Sequence, residues 1–202
     1  MTLLGACNPI GYKLSLIGME EAVFKALSSH HMVMCPCIFM EDELQILLAT
    51  SNKHKLREVR EILEPLGVTV TDLDSLDGLF DEPVEDADTF EENARIKARG
   101  YAQSTNLRCL ADDSGLVVDA LNGQPGVRSA RFAGIGETRE ERDAANNALL
   151  IDRVQHLQES ERTARFVCAM CVAEPDGTIV AESVGTFEGM ITTEPRGENG
   201  FG

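Results

Sequence analysis

From residue 44 onward, short apolar segments alternate with segments of helical periodicity, and this alternation constrains the fold more than any other feature. Leu44 to Ala49 is a continuous apolar run, which favours a buried strand. Lys53 to Leu66 has an amphipathic helical pattern that Gly67 ends, and Val68 to Leu73 predicts a second strand. The order of strand, helix and strand predicts an α/β protein. The apolar stripe of the helix consists of Leu56, Val59, Ile62, Leu63 and Leu66.

The rest of the chain continues this pattern. Thr89 predicts the N-cap of a helix that runs to about Ser104, and Thr138 to Leu157 predicts a long polar helix. Arg165 to Ala173 and Ile179 to Phe187 flank a Glu-Pro-Asp-Gly turn, which indicates an antiparallel hairpin. We therefore expect a mixed twisted sheet with flanking helices. Short strands are expected at Cys109 to Ala111 and Leu116 to Ala120, and the buried stripe of the helix after Thr89 at Phe90, Ala94, Ala98, Tyr101 and Ala102.

Charge and composition exclude several kinds of partner. The chain has 34 acidic and 18 basic residues and a formal net charge of -16, so it lacks the clustered Lys and Arg that grip a nucleic-acid backbone. Its longest apolar stretch near the start, Met32 to Met40, is shorter than the roughly 20 residues of a membrane helix. We expect neither a nucleic-acid polymer nor a membrane as partner. A small anionic substrate is compatible, because a bound cation can reverse the local field.

The first 40 residues and the cysteines indicate a cytoplasmic protein. Residues 1–40 show no sustained periodicity and lack the features of a signal peptide, so we treat them as an extension of unknown order. Six cysteines without a secretion signal suit a reducing compartment. Cys168 and Cys171 lie in an apolar run with strand character, which predicts buried thiols rather than a metal or redox pair.

Two adjacent carboxylates, Asp112 and Asp113, follow an apolar run and precede Ser114. Like charges at this spacing raise one pKa unless a cation intervenes. Mg²⁺ binds one or two carboxylates together with phosphate oxygens, so the pair favours a Mg²⁺ site. Glu85 and Glu92 are the candidates to complete it.

Each of these carboxylates also has a purely structural interpretation. Asp112 and Asp113 fit an ordinary Asp-Ser-Gly turn, and Glu85 fits a solvated acidic loop. Glu92 stands three residues after Thr89, the spacing of a helix capping box.

The segment after the first predicted strand is a candidate phosphate-binding turn. Ligands of α/β sheets bind at the carboxyl ends of strands, and the start of a helix presents backbone N–H groups to anions. Plain helix capping by Asn52 is the alternative. The candidate phosphate-binding residues are Thr50, Ser51, Asn52, Lys53, His54 and Lys55.

Five motifs lie in a fixed order between Leu44 and Gly202, and together they are more specific than any one alone. They are residues 50–55, residues 84–86 followed by 89–94 and 97–98, residues 111–116, residues 125–127 with 129–132, and residues 197–202. In this order they resemble the inosine triphosphate pyrophosphatase family, the Ham1-like group of non-canonical purine nucleoside triphosphate diphosphatases.

The resemblance implies a Mg²⁺-dependent enzyme that cleaves the α-β phosphoanhydride of dITP, ITP or XTP to the monophosphate and pyrophosphate. It also implies an elongated α/β fold with two lobes around a cleft, as in the related Maf-like proteins, and assembly as a homodimer. In this chain Glu85 and Asp113 would hold the metal, and Asp113 would accept a proton from water. Residues 50–55 and Ser114 would bind substrate. Supporting roles fall to Asp112, Glu92 and Lys97, with Arg131, Phe201 and Gly202 near the nucleotide.

The family continues beyond its Gly-Phe-Gly motif into a Tyr-Asp-Pro motif and later basic residues that recognise the purine. The sequence given ends at Gly202. The resemblance therefore implies that residues 41–202 form the pyrophosphatase domain without its C-terminal part, and we expect weak, unselective activity or none from these residues alone. Two alternatives stay open: a Maf-like nucleotide pyrophosphatase, and a nucleotide-binding remnant that cannot turn over.

Overall fold

The computed structural model describes residues 44–50 and 52–194, without the side chain of His54. The predicted extension over residues 1–40 and the predicted site residues Ser51, Phe201 and Gly202 lie outside the described residues. No helix in the described part of the chain is both long and apolar enough to cross a membrane.

One mixed sheet of five strands organises the described residues. The strands are β1 (Leu44–Leu48), β2 (Val68–Asp72), β3 (Cys109–Val118), β4 (Thr163–Ala173) and β5 (Ile179–Met190). They lie in the order β2-β1-β3-β4-β5. β1 is parallel to β2 and β3, whereas β4 is antiparallel to both of its neighbours, β3 and β5. The predictions of a mixed α/β sheet and of a C-terminal hairpin are confirmed.

In the described part of the chain, three helices pack against this sheet, and their ends follow from local sequence. They are α1 (Lys53–Leu63), α2 (Phe90–Thr105) and α3 (Arg139–Val154). A short 3₁₀ turn extends α1 to Gly67, which is left-handed with φ of 79° and so suits a residue without a Cβ. Thr138 begins α3 with a full capping box to Glu141.

The prediction of two short strands around an acidic turn is wrong. β3 is continuous through Asp112 and Asp113, because each of its residues from Cys109 to Val118 is paired with a residue of β4. The ladder of an adjacent strand thus overrides the turn preference of an Asp-Asp-Ser-Gly sequence. The two carboxylates therefore lie within a strand.

The sheet has an apolar core on each face. On one face, Leu48 and Leu110 pack with Val59 and Leu63 of α1. On the other face, the predicted stripe of α2 is buried against alternate residues of the strands. The buried residues on this second face include Phe90, Ala94, Ala98, Tyr101, Ala102, Cys109, Ala111 and Cys171. Cys168 and Cys171 are buried in β4, as predicted, and Cys109 of β3 is buried as well.

A third cluster lies at the far end of the long strands. Val118 and Ala164 pack there with Leu150 and Val154 of α3 and with Ile191. Because β3 contributes to all three clusters, it runs from the core under α1 and α2 into the core under α3. The two ends of β3 thus belong to different cores, which agrees with the elongated fold that the family resemblance implies.

Gly115 lets the segment 126–131 lie directly on β3. Ser129 accepts a hydrogen bond from the Leu116 amide at 2.8 Å and donates one to the Gly126 carbonyl at 2.6 Å. A Cβ on Gly115 would overlap Ser129 Oγ and lie 2.7 Å from the Gly126 oxygen, which is a backbone atom. Glycine is required here for close approach of two backbone segments.

We expect Gly115→Ala to destabilise the fold by about 1–3 kcal/mol, the usual cost of forcing extra volume into a packed site. Urea unfolding followed by circular dichroism would measure it. Thr186→Ala, at an exposed position of β5, is the control and should change stability by no more than about 0.5 kcal/mol. Equal stability of the Gly115→Ala chain and the parent would contradict the close approach of segment 126–131.

Candidate active site

The candidate site lies where β1 ends and β3 continues. β1 pairs with β3 only at Leu47 with Cys109 and Leu48 with Leu110. Because the two strands are parallel, the residues of β3 that follow Leu110 extend beyond the carboxyl end of β1. Carboxyl ends of strands that lead into helices are the usual ligand sites of α/β sheets. Asp112, Asp113 and Ser114 occupy this position on β3.

The two adjacent carboxylates lie on opposite faces of the sheet, because successive side chains of a strand alternate. Asp112 is on the face of α1 and contacts Lys55. Asp113 is on the face of α2 and contacts Asn93 at 2.9 Å. The two carboxylates therefore do not form one adjacent pair around a single cation, as the sequence suggested. Asp112 contacts Lys55, and Asp113 contacts Asn93.

On the α1 face, Lys55 joins the turn after β1 to β3. Its ammonium pairs with the buried Asp112 carboxylate and also donates to Ser114 Oγ at 3.3 Å. Asn52 begins the helix, as its Oδ1 accepts from the Lys55 amide at 3.4 Å. Lys55, Asp112 and Ser114 are therefore brought together as predicted, and Asn52 has the capping geometry that was the alternative interpretation.

Thr50 and Lys53 belong to the same turn and have other surroundings than Lys55. Thr50 Oγ1 accepts from the Asn52 amide at 3.2 Å, which shapes the turn locally. Lys53 is exposed at the first position of α1. This leaves Lys53 available at a helix N-terminus, where backbone N–H groups favour anions.

On the α2 face, Asp113 is held through both of its oxygens. Oδ2 accepts from Asn93 Nδ2 at 2.9 Å, and Oδ1 accepts from the Ser114 amide at 2.9 Å. An ionised carboxylate has about four lone-pair sites, so further acceptor capacity remains.

Glu85 is the second carboxylate on this face. Lys97 Nζ contacts its Oε1 at 2.9 Å and donates to the backbone oxygen of Asp112 at 3.0 Å. Arg131 donates to the Glu85 carbonyl oxygen at 3.3 Å. Glu85, Asp113, Lys97 and Arg131 thus belong to one neighbourhood, which agrees with their grouping from the sequence.

The pKa of Asp113 is raised from 3.8 to about 6. Burial is the main cause, because it penalises the charged carboxylate. The hydrogen bond from Asn93 and the charge of Lys97 lower the pKa, whereas the charges of Glu85 and, least of all, Asp112 raise it. The site therefore carries negative charge that its own cations offset only in part.

Glu92 does not join this neighbourhood in the structure. Its carboxylate pairs with Arg95 at 2.7 Å, and Arg95 also contacts Glu182 of β5 at 2.5 Å. One turn along α2, Arg99 donates to the Gly177 carbonyl at 3.1 Å. The predicted capping box is half present, since Thr89 accepts from the Glu92 amide at 3.2 Å while the Glu92 side chain turns to Arg95. The nearby arginine explains why this carboxylate faces away from Asp113.

Asn93 is a site residue that the sequence prediction omitted. It is 1% exposed and contacts both Asp113 and the backbone of the acidic loop. Its position in the sequence could have indicated its role. Asn93 stands three residues after Phe90, on the side of α2 that is otherwise apolar. A polar residue in such a stripe requires a buried hydrogen-bond partner.

The donor set fits a hard cation. No group of three or more His, Cys, Asp or Glu side chains is arranged as a metal site among the described residues. Mg²⁺ does not require one, since it commonly takes one or two carboxylates and completes its shell with substrate phosphates and water. Asp113 and Glu85 offer carboxylate oxygens as ligands. The charge of Glu85 contributes to the raised pKa of Asp113, and a bound cation would relieve this repulsion.

Comparison with known proteins decides the family. Residues 46–202 match the sequence profile of the Ham1 family. The chain belongs to the Ham1 family. Among its relatives, the dITP/XTP pyrophosphatase of Desulforamulus reducens is 46% identical over 159 residues, which cover 79% of this chain and 76% of that protein. The dITP/XTP pyrophosphatase of an Exiguobacterium species is 49% identical over 161 residues, covering 79% and 77%.

Solved structures of the Ham1 family share the fold. The Ham1 protein of Coxiella burnetii has a TM-score of 0.68 and 39% identity, covering 79% of this chain and 78% of its own. The dITP/XTP pyrophosphatase of Mycobacterium abscessus has a TM-score of 0.65 and 42% identity, covering 78% and 80%. The Ham1 resemblance is therefore confirmed, and the Maf-like alternative is not supported.

We expect Lys55→Met to destabilise this Ham1 chain by about 3 kcal/mol, because it leaves the Asp112 carboxylate buried without its cation. Asp112 is 3% exposed and Lys55 13%. Urea unfolding at pH 7 would measure the loss. The double variant Lys55→Met/Asp112→Asn should recover most of it, since no charge remains buried, and a double variant no more stable than Lys55→Met would contradict the pairing.

Asp113→Asn should stabilise the metal-free chain at pH 8 but not at pH 4. The folded pKa of Asp113 is raised to about 6, so its destabilising effect grows as the pH rises from about 4 to about 6 and is complete above that range. The expected gain at pH 8 is about 2–3 kcal/mol. Thermal unfolding in EDTA at both pH values would measure it, and an equal effect at both would contradict the assignment.

Proposed function

We propose that this chain hydrolyses the α-β phosphoanhydride of the non-canonical purine nucleoside triphosphates dITP, ITP and XTP, which removes them from the nucleotide pool. The observation that carries the proposal is the partly buried Asp113 carboxylate beside Glu85 and Lys97, next to the end of β1, in a Ham1 chain. Its relatives that are named dITP/XTP pyrophosphatases support the same substrate class.

Substrate phosphates would contact the turn after β1 and the cations around it. Lys53 is exposed at the start of α1, and Lys55 is two residues further on. Ser114 lies within reach of the Lys55 ammonium, so the two side chains can contact the same phosphate oxygen. On the other face, Lys97 and Arg131 border the carboxylates and can offset the charge of the triphosphate.

Glu85 and Asp113 would hold Mg²⁺, as the resemblance implies and as their oxygen donors allow. When bound, the ion would neutralise phosphate charge and polarise the anhydride. Glu92 is not part of this proposal, because its carboxylate pairs with Arg95.

Asp113 would accept the proton of the attacking water. Water supplies the oxygen that bonds to the α phosphorus, and the bond between the α phosphorus and the bridging oxygen breaks. Pyrophosphate leaves with the bonding electrons, and the proton passes to the carboxylate of Asp113. The hydrogen bonds from Asn93 and the Ser114 amide hold this carboxylate in place for the transfer.

The proposal also includes the cellular compartment, the kind of substrate and the oligomeric state. The buried thiols of Cys109, Cys168 and Cys171 suit the reducing cytoplasm. The net charge of -16 favours a small metal-bound nucleotide over a nucleic-acid polymer. A homodimer is proposed from the family resemblance alone.

Pyrophosphate release from dITP, XTP and dGTP, with and without Mg²⁺, tests the function. We expect metal-dependent release from dITP and XTP that Asp113→Asn lowers at least about 100-fold, the scale of a lost proton acceptor. Glu188→Gln, at an exposed position of β5, is the control and should keep full activity.

The effect of a further C-terminal segment on selectivity is tested in parallel. The same assay would use the chain extended with the C-terminal segment of the Desulforamulus reducens relative. Preference for dITP over dGTP should rise in the extended chain, and equal selectivity in both would contradict the expectation. Binding of a dITP analogue without pyrophosphate release from either chain would overturn the proposed activity in favour of a nucleotide-binding remnant.

A further inference from the structure

Asn93 has a buried side-chain amide, and a buried polar group needs hydrogen-bond partners. It lies in the first turn of α2 and is 1% exposed. Asparagine is a weak helix former, and an unsatisfied buried amide costs about 1–3 kcal/mol. Its polar groups should therefore have specific partners.

Those partners lie on two different elements. Asn93 Oδ1 accepts from the Ala87 amide at 3.0 Å, and Nδ2 donates to Asp113 Oδ2 at 2.9 Å. These partners determine the orientation of the Asn93 amide. In the flipped orientation its NH₂ group would face the N–H donor of Ala87, and its oxygen would face the Asp113 carboxylate. One side chain thus joins the acidic loop to β3.

The joined segments carry the two proposed metal-binding carboxylates. Ala87 is two residues after Glu85, so its hydrogen bond restrains the loop next to that carboxylate. Lys97 and Arg131 hold Glu85 through its side chain and its carbonyl oxygen, whereas Asn93 donates a hydrogen bond to the Asp113 carboxylate itself. The Asn93 amide therefore connects the loop of Glu85 directly with the carboxylate of Asp113.

We propose that Asn93 is a positioning residue that sets the separation of Glu85 and Asp113 and orients the Asp113 carboxylate for the cation. This inference rests on the proposed function. Asn93 acts through these carboxylates and does not itself contact substrate. Partners that orient metal ligands typically change metal affinity by about 10–100-fold when removed.

Asn146 provides a matched control. It is 7% exposed, its Oδ1 accepts from the Ala133 amide at 2.7 Å, and its Nδ2 donates to the Ser129 carbonyl at 3.2 Å. It is thus a second buried helical asparagine that holds a loop, but without contact to a carboxylate. Loss of either amide should lower stability similarly, whereas only Asn93 should affect the metal.

The test compares Asn93→Ala, Asn146→Ala and the parent by Mn²⁺ titration of the nucleotide-free chain, followed by electron paramagnetic resonance. We expect Asn93→Ala to weaken Mn²⁺ binding about 10–100-fold and Asn146→Ala to leave it within about twofold of the parent. Hydrogen exchange should show a faster Ala87 amide in Asn93→Ala, and circular dichroism would confirm that each variant is folded.

Pyrophosphate release gives a second readout. Half-saturating Mg²⁺ should rise in Asn93→Ala, and activity should recover in part at high Mg²⁺, which a general loss of folded protein would not produce. Parent-like Mn²⁺ binding by a folded Asn93→Ala chain would overturn the inference. If Asn93→Ala does not fold, Asn93→Leu replaces it under the same criteria.

The outcomes separate the two proposals. A parent that releases pyrophosphate and binds Mn²⁺ equally with or without Asn93 would overturn only the positioning role. A parent that shows neither Mn²⁺ binding nor pyrophosphate release would overturn the proposed function and the inference that rests on it.

Discussion

The pairing of β3 with β4 over the whole length of β3 is the constraint on which the site depends. β1 accompanies β3 only at its beginning, at Cys109 and Leu110, whereas β4 accompanies it through Val118. A carboxylate pair can therefore lie on a rigid strand while one side of that strand faces the turn after β1. Strands position functional side chains more accurately than loops, and the antiparallel partner provides this rigidity here.

Strand geometry also separates two electrostatic environments that are adjacent in sequence. Asp112 has a direct cation in Lys55 and belongs to the face of α1. Asp113 has an amide and a backbone N–H as its hydrogen-bond donors and lies near Glu85, so burial leaves it with a raised pKa. The charge of Asp112 is thus balanced by Lys55 within the protein, whereas the charge of Asp113 can be balanced by a bound cation.

Much of this arrangement could be predicted from sequence, and the failures have physical causes. Helical periodicity and capping residues located α1, α2 and α3, because these signals are local. The Asp-Asp-Ser-Gly segment was assigned to a turn because its pairing with β4 is a long-range interaction between residues 109–118 and 164–173. Asn93 was missed since a buried amide looks, in sequence, like any polar residue of a helix. Glu92 was grouped with the metal ligands because the position of Arg95 relative to β5 is not visible before folding.

The contacts of α2 with the hairpin of β4 and β5 connect that hairpin with the candidate site. Asn93 and Lys97 stand about one helical turn apart, so any rotation of α2 about its axis would move the amide and the ammonium together. On the outer side of the same helix, Arg95 contacts Glu182 and Arg99 donates to the Gly177 carbonyl. These two contacts oppose rotation of α2 about its axis. The hairpin of β4 and β5 therefore helps to hold the Asn93 amide and the Lys97 ammonium in their positions against β3.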